Sequence, residues 1–163
     1  MEYISSSSDS GWQLDAYFSY IDTIRNQLPA EVYSFASDSR NYDLSSHQSL
    51  HDSWLEYFSI IERGRGDRRQ MRNIEIECCL LGPFHDFKIF LNYSGVQAFS
   101  LVTPKDFSGP PAVFTGHGDL LMHEIRLEMG DNIVHELLFS RGSVFQVTFR
   151  NLSHRVEPYT ASH

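Results

Sequence analysis

The stretch from Asp119 to Asn151 limits the possible folds more than any other part of the chain. Side chains on a strand alternate between faces, so Leu121, His123, Ile125, Leu127 and Met129 share one face of a first strand. Ile133, His135, Leu137 and Phe139 share one face of a second. A three-residue loop over Gly130-Asp131-Asn132 sets Met129 against Ile133, Leu127 against His135, Ile125 against Leu137 and His123 against Phe139. Both apolar sets then land on one side, and Arg126 meets Glu136 on the other, a favourable cross-strand pair. A two-residue loop would slip the pairing by one and put apolar against polar. The same logic over Arg141-Gly142-Ser143 pairs Phe139 with Phe145, Leu137 with Val147 and His135 with Phe149, leaving Gln146, Thr148 and Arg150 to water.

Upstream, Leu14, Tyr17, Phe18, Ile21, Ile24 and Leu28 recur at helical spacing, and Ser10 with Gln13 fits a capping box, so a first helix is predicted over 11–27. Pro29 ends it and opens a short second helix to Ala36. Residues 37–49 read as a crossing loop. Residues 50–61 are bulky on both alternating faces, which predicts a strand covered on two sides, with the first helix on one of them. The Arg/Gly stretch 63–70 reads as a mobile turn; its Arg65-Gly66-Asp67 tripeptide is read as chance. Ile74, Ile76, Cys78 and Leu80 alternate with Glu75 and Glu77; Phe87 to Tyr93 is a further strand, and Ser94-Gly95 marks a bulge or tight turn. Residues 96–102 and 152–157 add two more strands, and the Pro/Gly-rich 103–118 is a long loop.

The expected architecture is α+β: one or two N-terminal helices packed on a mostly antiparallel, six- to eight-stranded twisted sheet. A sheet curled toward a half-barrel is the alternative. The expected division is a flexible lead over 1–9, one domain over 10–158 and a tail over 159–163. At 163 residues and 41% hydrophobic, the chain is long enough for one substantial core.

The net charge of −8 argues against a general nucleic-acid binder. Five of the thirteen basic residues (Arg63, Arg65, Arg68, Arg69 and Arg72) lie in one window opposed only by Asp67, so the rest carries eight basic and twenty acidic groups, about −12. Such a surface attracts a basic partner by long-range steering. Cys78 and Cys79 are neighbours and point to opposite faces of a strand, which fits two free thiols in a reducing compartment. The N-terminus has neither a basic nor an apolar signal region, and no apolar run spans a membrane. The expected location is cytoplasmic, away from membranes.

Four dipeptides join imidazole to carboxylate: His51-Asp52, His85-Asp86, His123-Glu124 and His135-Glu136. These groups are metal ligands and acid/base partners. Neighbours on a strand face opposite ways, so no one pair chelates an ion. His-Glu-x-x-His, the nucleophile elbow, the P-loop and the dinucleotide fingerprint are all missing. His123 and His135 share a face and approach across the diagonal; the simplest reading is a pair of hydrogen-bonded core histidines. His51 before a strand and His117 between two glycines of the long loop are the other candidates.

The runs Leu28-Pro29, Phe35-Ala36-Ser37-Asp38, Tyr42-Asp43 and Leu50-His51-Asp52-Ser53-Trp54-Leu55 resemble an uncharacterised family of small bacterial proteins. Leu81-Gly82-Pro83-Phe84-His85-Asp86, Tyr93-Ser94-Gly95-Val96 and Gly118-Asp119-Leu120-Leu121-Met122-His123-Glu124 fit the same likeness, which covers most of the chain beyond residue 10. In style it is loosely similar to toxin-immunity proteins. The resemblance implies a bacterial source and a single α+β domain; it supplies no established activity, so no catalytic role is carried over. Two functions are therefore expected. The first is a non-enzymatic, immunity-like binding protein, without a cofactor, that presents an acidic surface to a basic protein. The second is a zinc- or manganese-binding protein or enzyme using His123, His135, His51 and His117. A homodimer through a sheet edge fits either.

Overall fold

The computed structural model describes residues 1–7, 11–103 and 116–160. In chain order the elements are β1 (Ser5–Ser7), β2 (Gly11–Gln13), α1 (Asp15–Thr23) and α2 (Ala30–Ala36). The strands β3 (Trp54–Arg65), β4 (Met71–Leu81), β5 (Phe87–Ser94) and β6 (Ala98–Val102) follow. β7 (Leu120–Glu128), β8 (Asn132–Phe139), β9 (Val144–Phe149) and β10 (Asn151–Pro158) complete the series. The fold is α+β, and every sheet is antiparallel.

The strands divide into two four-stranded sheets, ordered β10-β5-β4-β3 and β6-β9-β8-β7, plus the β1-β2 hairpin, where one twisted sheet was expected. The division has a local cause. β5 and β6 run against β9 and β10 as one ribbon that passes from the first sheet to the second. Asn151 pairs with Ser94 on one side of the crossing and Thr148 with Ala98 on the other, a register offset of one residue. The offset sits at Gly95, whose φ of +62° favours glycine and whose missing Cβ leaves room for Arg150. At the other end the sheets touch again. Leu120 N–H donates to Ser53 O at 2.9 Å, Asp52 N–H donates to Leu120 O at 2.8 Å, and Trp54 bridges to Asp119.

From His123 onward the β7–β8–β9 meander forms with the expected faces but a different register; a bulge at Leu121 sets Leu120, rather than Leu121, against Phe139 in the core. Leu127 pairs with Ile133, Ile125 with His135 and His123 with Leu137; on the next strand Leu137 pairs with Phe145 and His135 with Val147. Each expected pairing is displaced by two residues. Gly130 and Asp131 both take left-handed backbone, so the first loop is Met129-Gly130-Asp131, and Met129 stands in water at 95% exposure rather than inside. A loop moved by one position shifts the pairing by two, which preserves the faces. Arg126 accordingly reaches Glu136 on the diagonal, at 3.0 Å, instead of directly across.

The N-terminal helix is shorter than 11–27, because Gly11–Gln13 pairs with Ser5–Ser7 as a hairpin and Arg25–Gln27 is a 3-10 turn. Ser10 of the expected capping box, most of the 103–118 loop and the last three residues lie outside the described residues. α1 begins at Leu14 without a side-chain cap. It runs along the edge of β7, where Ile125 N–H donates to the Tyr17 hydroxyl at 3.2 Å and Leu127 N–H to the Tyr20 hydroxyl at 2.8 Å. Residues 2–4, expected as part of a loose lead, are held by Glu124. This carboxylate is fully buried and accepts the backbone N–H groups of Glu2, Tyr3 and Ile4 at 2.8 to 2.9 Å.

The strand expected over 50–61 with cover on both sides starts at Trp54, runs to Arg65 and is an exposed edge of the first sheet. Trp54 and Ile60 are 48% and 54% exposed. The core draws on both four-stranded sheets and both helices, and joins Tyr17, Phe35, Ile76, Leu91, Tyr93 and Phe149. No described helix is long and apolar enough to cross a membrane.

Candidate functional site

Three sequence-distant segments meet where the two sheets touch. Trp54 opens β3, the turn 82–86 lies beside it because Trp54 pairs with Leu81, and Asp119 leads into β7. The Trp54 indole N–H donates to Asp119 Oδ1 at 2.7 Å, and the His85 ring meets the indole edge-on at 4.2 Å. Asp119 is itself fixed: its N–H donates to Ser140 Oγ at 3.0 Å, and its carbonyl accepts from Ser140 N–H at 2.8 Å. One turn residue on, His47 Nδ1 lies 2.6 Å from Asp86 Oδ2, and its ring stacks on exposed Phe84 at 4.2 Å. The backbone is strained at this corner. Asp52 and His85 have φ of +62° and +59°, a region non-glycine residues rarely enter and one that clusters at working surfaces. Gly118 (φ +77°) is required by contact as well, because a Cβ there would lie 2.1 Å from Ser140 Oγ.

The two sheet histidines come together in the core. His123 Nδ1 lies 3.1 Å from His135 Nε2, and His135 Nδ1 lies 2.8 Å from the Tyr93 hydroxyl. Tyr42 stacks on His123 at 4.3 Å, and Phe35 contacts both imidazoles and that of His154. Burial, reinforced by the charge of His154, pulls His123 down to about 3. Burial and then the neighbouring His123 and Arg126 hold His135 well below its ordinary value. Both are therefore neutral near pH 7, one donating and the other accepting along the Tyr93–His135–His123 chain. His123 Nε2 has no hydrogen-bond partner.

The other two candidate ligands sit elsewhere. His117 Nδ1 bonds Ser143 Oγ at 2.9 Å, and its ring packs on Phe139. His51 Nδ1 lies 3.1 Å from Asp52 Oδ1 without hydrogen-bond alignment. Among the described residues no group of three or more His, Cys, Asp or Glu is placed to hold a metal ion. A separate open groove of about 520 Å³ lies between α2 and β10, lined by Glu31, Ser34, Arg40, His154 and Arg155. Its Arg40 is already engaged by Asp38 at 2.6 Å.

Trp54, Phe84 and Asp119 were not among the sequence candidates, and His85 entered only as one of the four His-acid dipeptides. The exposed Trp beside a positive-φ Asp is the signal, but only the long-range Trp54–Asp119 pairing reveals it. No family model, no curated protein and no solved structure matches this chain.

Proposed function

We propose that this chain is a non-enzymatic binding protein, immunity-like in kind, that takes a basic segment of a protein partner on the Trp54 corner. The observation that carries the reading is Trp54 itself, a large ring kept about half in water while its N–H is pinned to Asp119. Tryptophan dominates binding hot spots because it offers rigid apolar area at low entropy cost. The Asp119 carboxylate lies on the indole N–H and the exposed Asp52 precedes Trp54 by two residues, so an arginine or lysine would find an aromatic surface and negative charge together. A cation on such a ring gains about 0.5–1 kcal/mol in water and about 2 when desolvated. The acidic character of the chain outside 63–72 adds steering toward a basic partner.

The chain contains two tryptophans, so Trp12→Phe leaves Trp54 as the sole reporter. Titrating that variant with an arginine-rich peptide should change the fluorescence of Trp54 in low salt and lose affinity steeply as salt rises. The protein used as bait in a lysate of its own source should also retain a basic partner that Trp54→Ala releases. Peptide binding of equal strength in Trp54→Ala, or insensitive to salt, would remove this function.

A further inference from the structure

Strand β3 carries opposite chemistry at its two ends. At its start are Trp54, Asp52 and Asp119. At its far end are Arg65 and, in the following turn, Arg68 and Arg69. Arg63 and Arg72 are engaged by Glu75 and Glu62 within the hairpin, whereas Arg65, Arg68 and Arg69 make no ion pair among the described residues. β3 is also a twelve-residue edge: beyond the single bridge at Trp54, no described strand pairs with its outer side. Ile60 and Ile61 are exposed at its middle. A long edge with apolar residues at its centre is a template for another strand.

We propose that β3 pairs antiparallel with β3 of a second copy, about a two-fold axis at Ile60, so that the arginine end of each copy meets the Trp54 corner of the other. The inference rests on the reading of that corner as a cation-binding surface and names the second copy as the basic segment it fits. The geometry is self-consistent. Tyr57, Ser59, Ile61 and Arg63 share one face of β3, and Phe58, Ile60 and Glu62 the other. An axis normal to the sheet keeps each face on its own side, so residues of equal parity oppose one another. Centred on Ile60, the pairing sets Ile60 against Ile60, Ser59 against Ile61, Tyr57 against Arg63 and Phe58 against Glu62. No like charges oppose, which removes the usual obstacle to edge pairing. A bulge between Leu55 and Tyr57 leaves Trp54 five rungs from Ile60, the same number as Arg65 on the other side. At roughly 3.3 Å per rung, each lies about 17 Å from the axis, so the two meet across it. The two first sheets would merge into one of eight strands, and each Trp54 corner would be completed by arginines of the other copy.

Sedimentation of the full chain should give twice its 18.8 kDa mass at low salt and dissociation as salt rises. Two surface variants then test the pairing. The charge-reversed tip (Arg65→Glu, Arg68→Glu, Arg69→Glu) and the charge-reversed corner (Asp52→Lys with Asp119→Lys) should each weaken the dimer on the order of tenfold or more. Mixing the two should restore a dimer, because in the mixed pair each tip meets a corner of opposite charge; this rescue also shows that both variants fold. A monomeric wild-type chain whose Trp54 still responds to the arginine-rich peptide would overturn the dimer and leave the corner's function standing. A monomeric chain without that response would remove both. A dimer indifferent to tip reversal, or tip and corner variants that do not rescue each other, would overturn this pairing.

Discussion

Lowering the pH from 7 to 5 should destabilise the fold by about 3–4 kcal/mol, because two imidazoles are buried neutral. His123 and His135 are 1% and 0% exposed, and both titrate in the folded protein far below the ordinary value of 6.5. The folded-state values are depressed, so between 6.5 and the folded values the unfolded chain binds protons that the native chain does not. Stability is therefore highest above about pH 7 and falls as the pH drops. Each histidine contributes RT ln(1 + 10^(6.5 − pH)), which grows by roughly 1.9 kcal/mol between pH 7 and pH 5. Two such groups give the predicted loss, and burial of His154 adds in the same direction. The window lies above the range of ordinary carboxylates, near pH 4, so the histidines dominate it. Urea unfolding at pH 7, 6 and 5 measures the effect directly, and the slope should correspond to the uptake of about two protons near pH 5.5. A loss below about 1 kcal/mol would mean that the imidazoles are hydrated or already charged, and the Tyr93–His135–His123 chain would have to be abandoned.

Glu124→Ala should cost about 3–5 kcal/mol by urea midpoint, because three amides and Arg126 lose a buried carboxylate; a loss under about 1 would show that residues 2–4 contribute little. Tyr93→Phe removes the hydroxyl that partners His135 Nδ1 and should cost about 1–3 kcal/mol; a neutral result would place that nitrogen against solvent. Gly118→Ala should cost about 1–3 kcal/mol and disturb Trp54 fluorescence, since the added Cβ displaces Ser140 from Asp119; an unchanged spectrum would uncouple that loop from the corner. Neither cysteine should react with a thiol reagent in the native protein, because burial pushes Cys79 up to about 12 and Cys78 well above its usual value. Both should react on unfolding, and fast native labelling would place a thiol on the surface.

The parts of the fold that were legible in the sequence are those fixed by alternation over many residues. The faces of β7, β8 and β9 follow from Leu127, Ile133, His135 and Phe145, because moving any of them to the other face would expose several at once. The register was not legible, since a shift by two leaves every face intact, and only the left-handed backbone of Gly130 and Asp131 selects between the two. The β1–β2 hairpin had no signal at all: Ser5, Ser6 and Ser7 show no alternation, and the segment ahead of them is ordered by Glu124, more than a hundred residues away. The same holds for the Trp54 corner. Trp54 reads locally as a core residue of a two-sided strand. It stands on the edge strand of the first sheet beside Asp119, a placement set by strand order that local pattern does not disclose.

The recurring His-acid dipeptide, the most suggestive chemical motif in the sequence, resolves into two different uses. On β7 and β8 the strand pleat sends His123 and His135 inward, where they bond one another, and sends Glu124 and Glu136 to the opposite face. There the two carboxylates oppose each other directly, an unfavourable arrangement in isolation. Arg126 lies 3.0 Å from Glu136 and 3.8 Å from Glu124, the Met1 amine donates to Glu136 at 2.6 Å, and the amides of residues 2–4 saturate Glu124. The negative pair thus becomes the anchor that ties the N-terminal segment to the sheet. His51-Asp52 and His85-Asp86 lie instead in turns, each with one residue at positive φ, and both flank Trp54. One pair of dipeptides therefore builds the core and its outer cover, and the other shapes the exposed corner. The strand context decides which, so the dipeptide alone predicts neither a metal centre nor an active site.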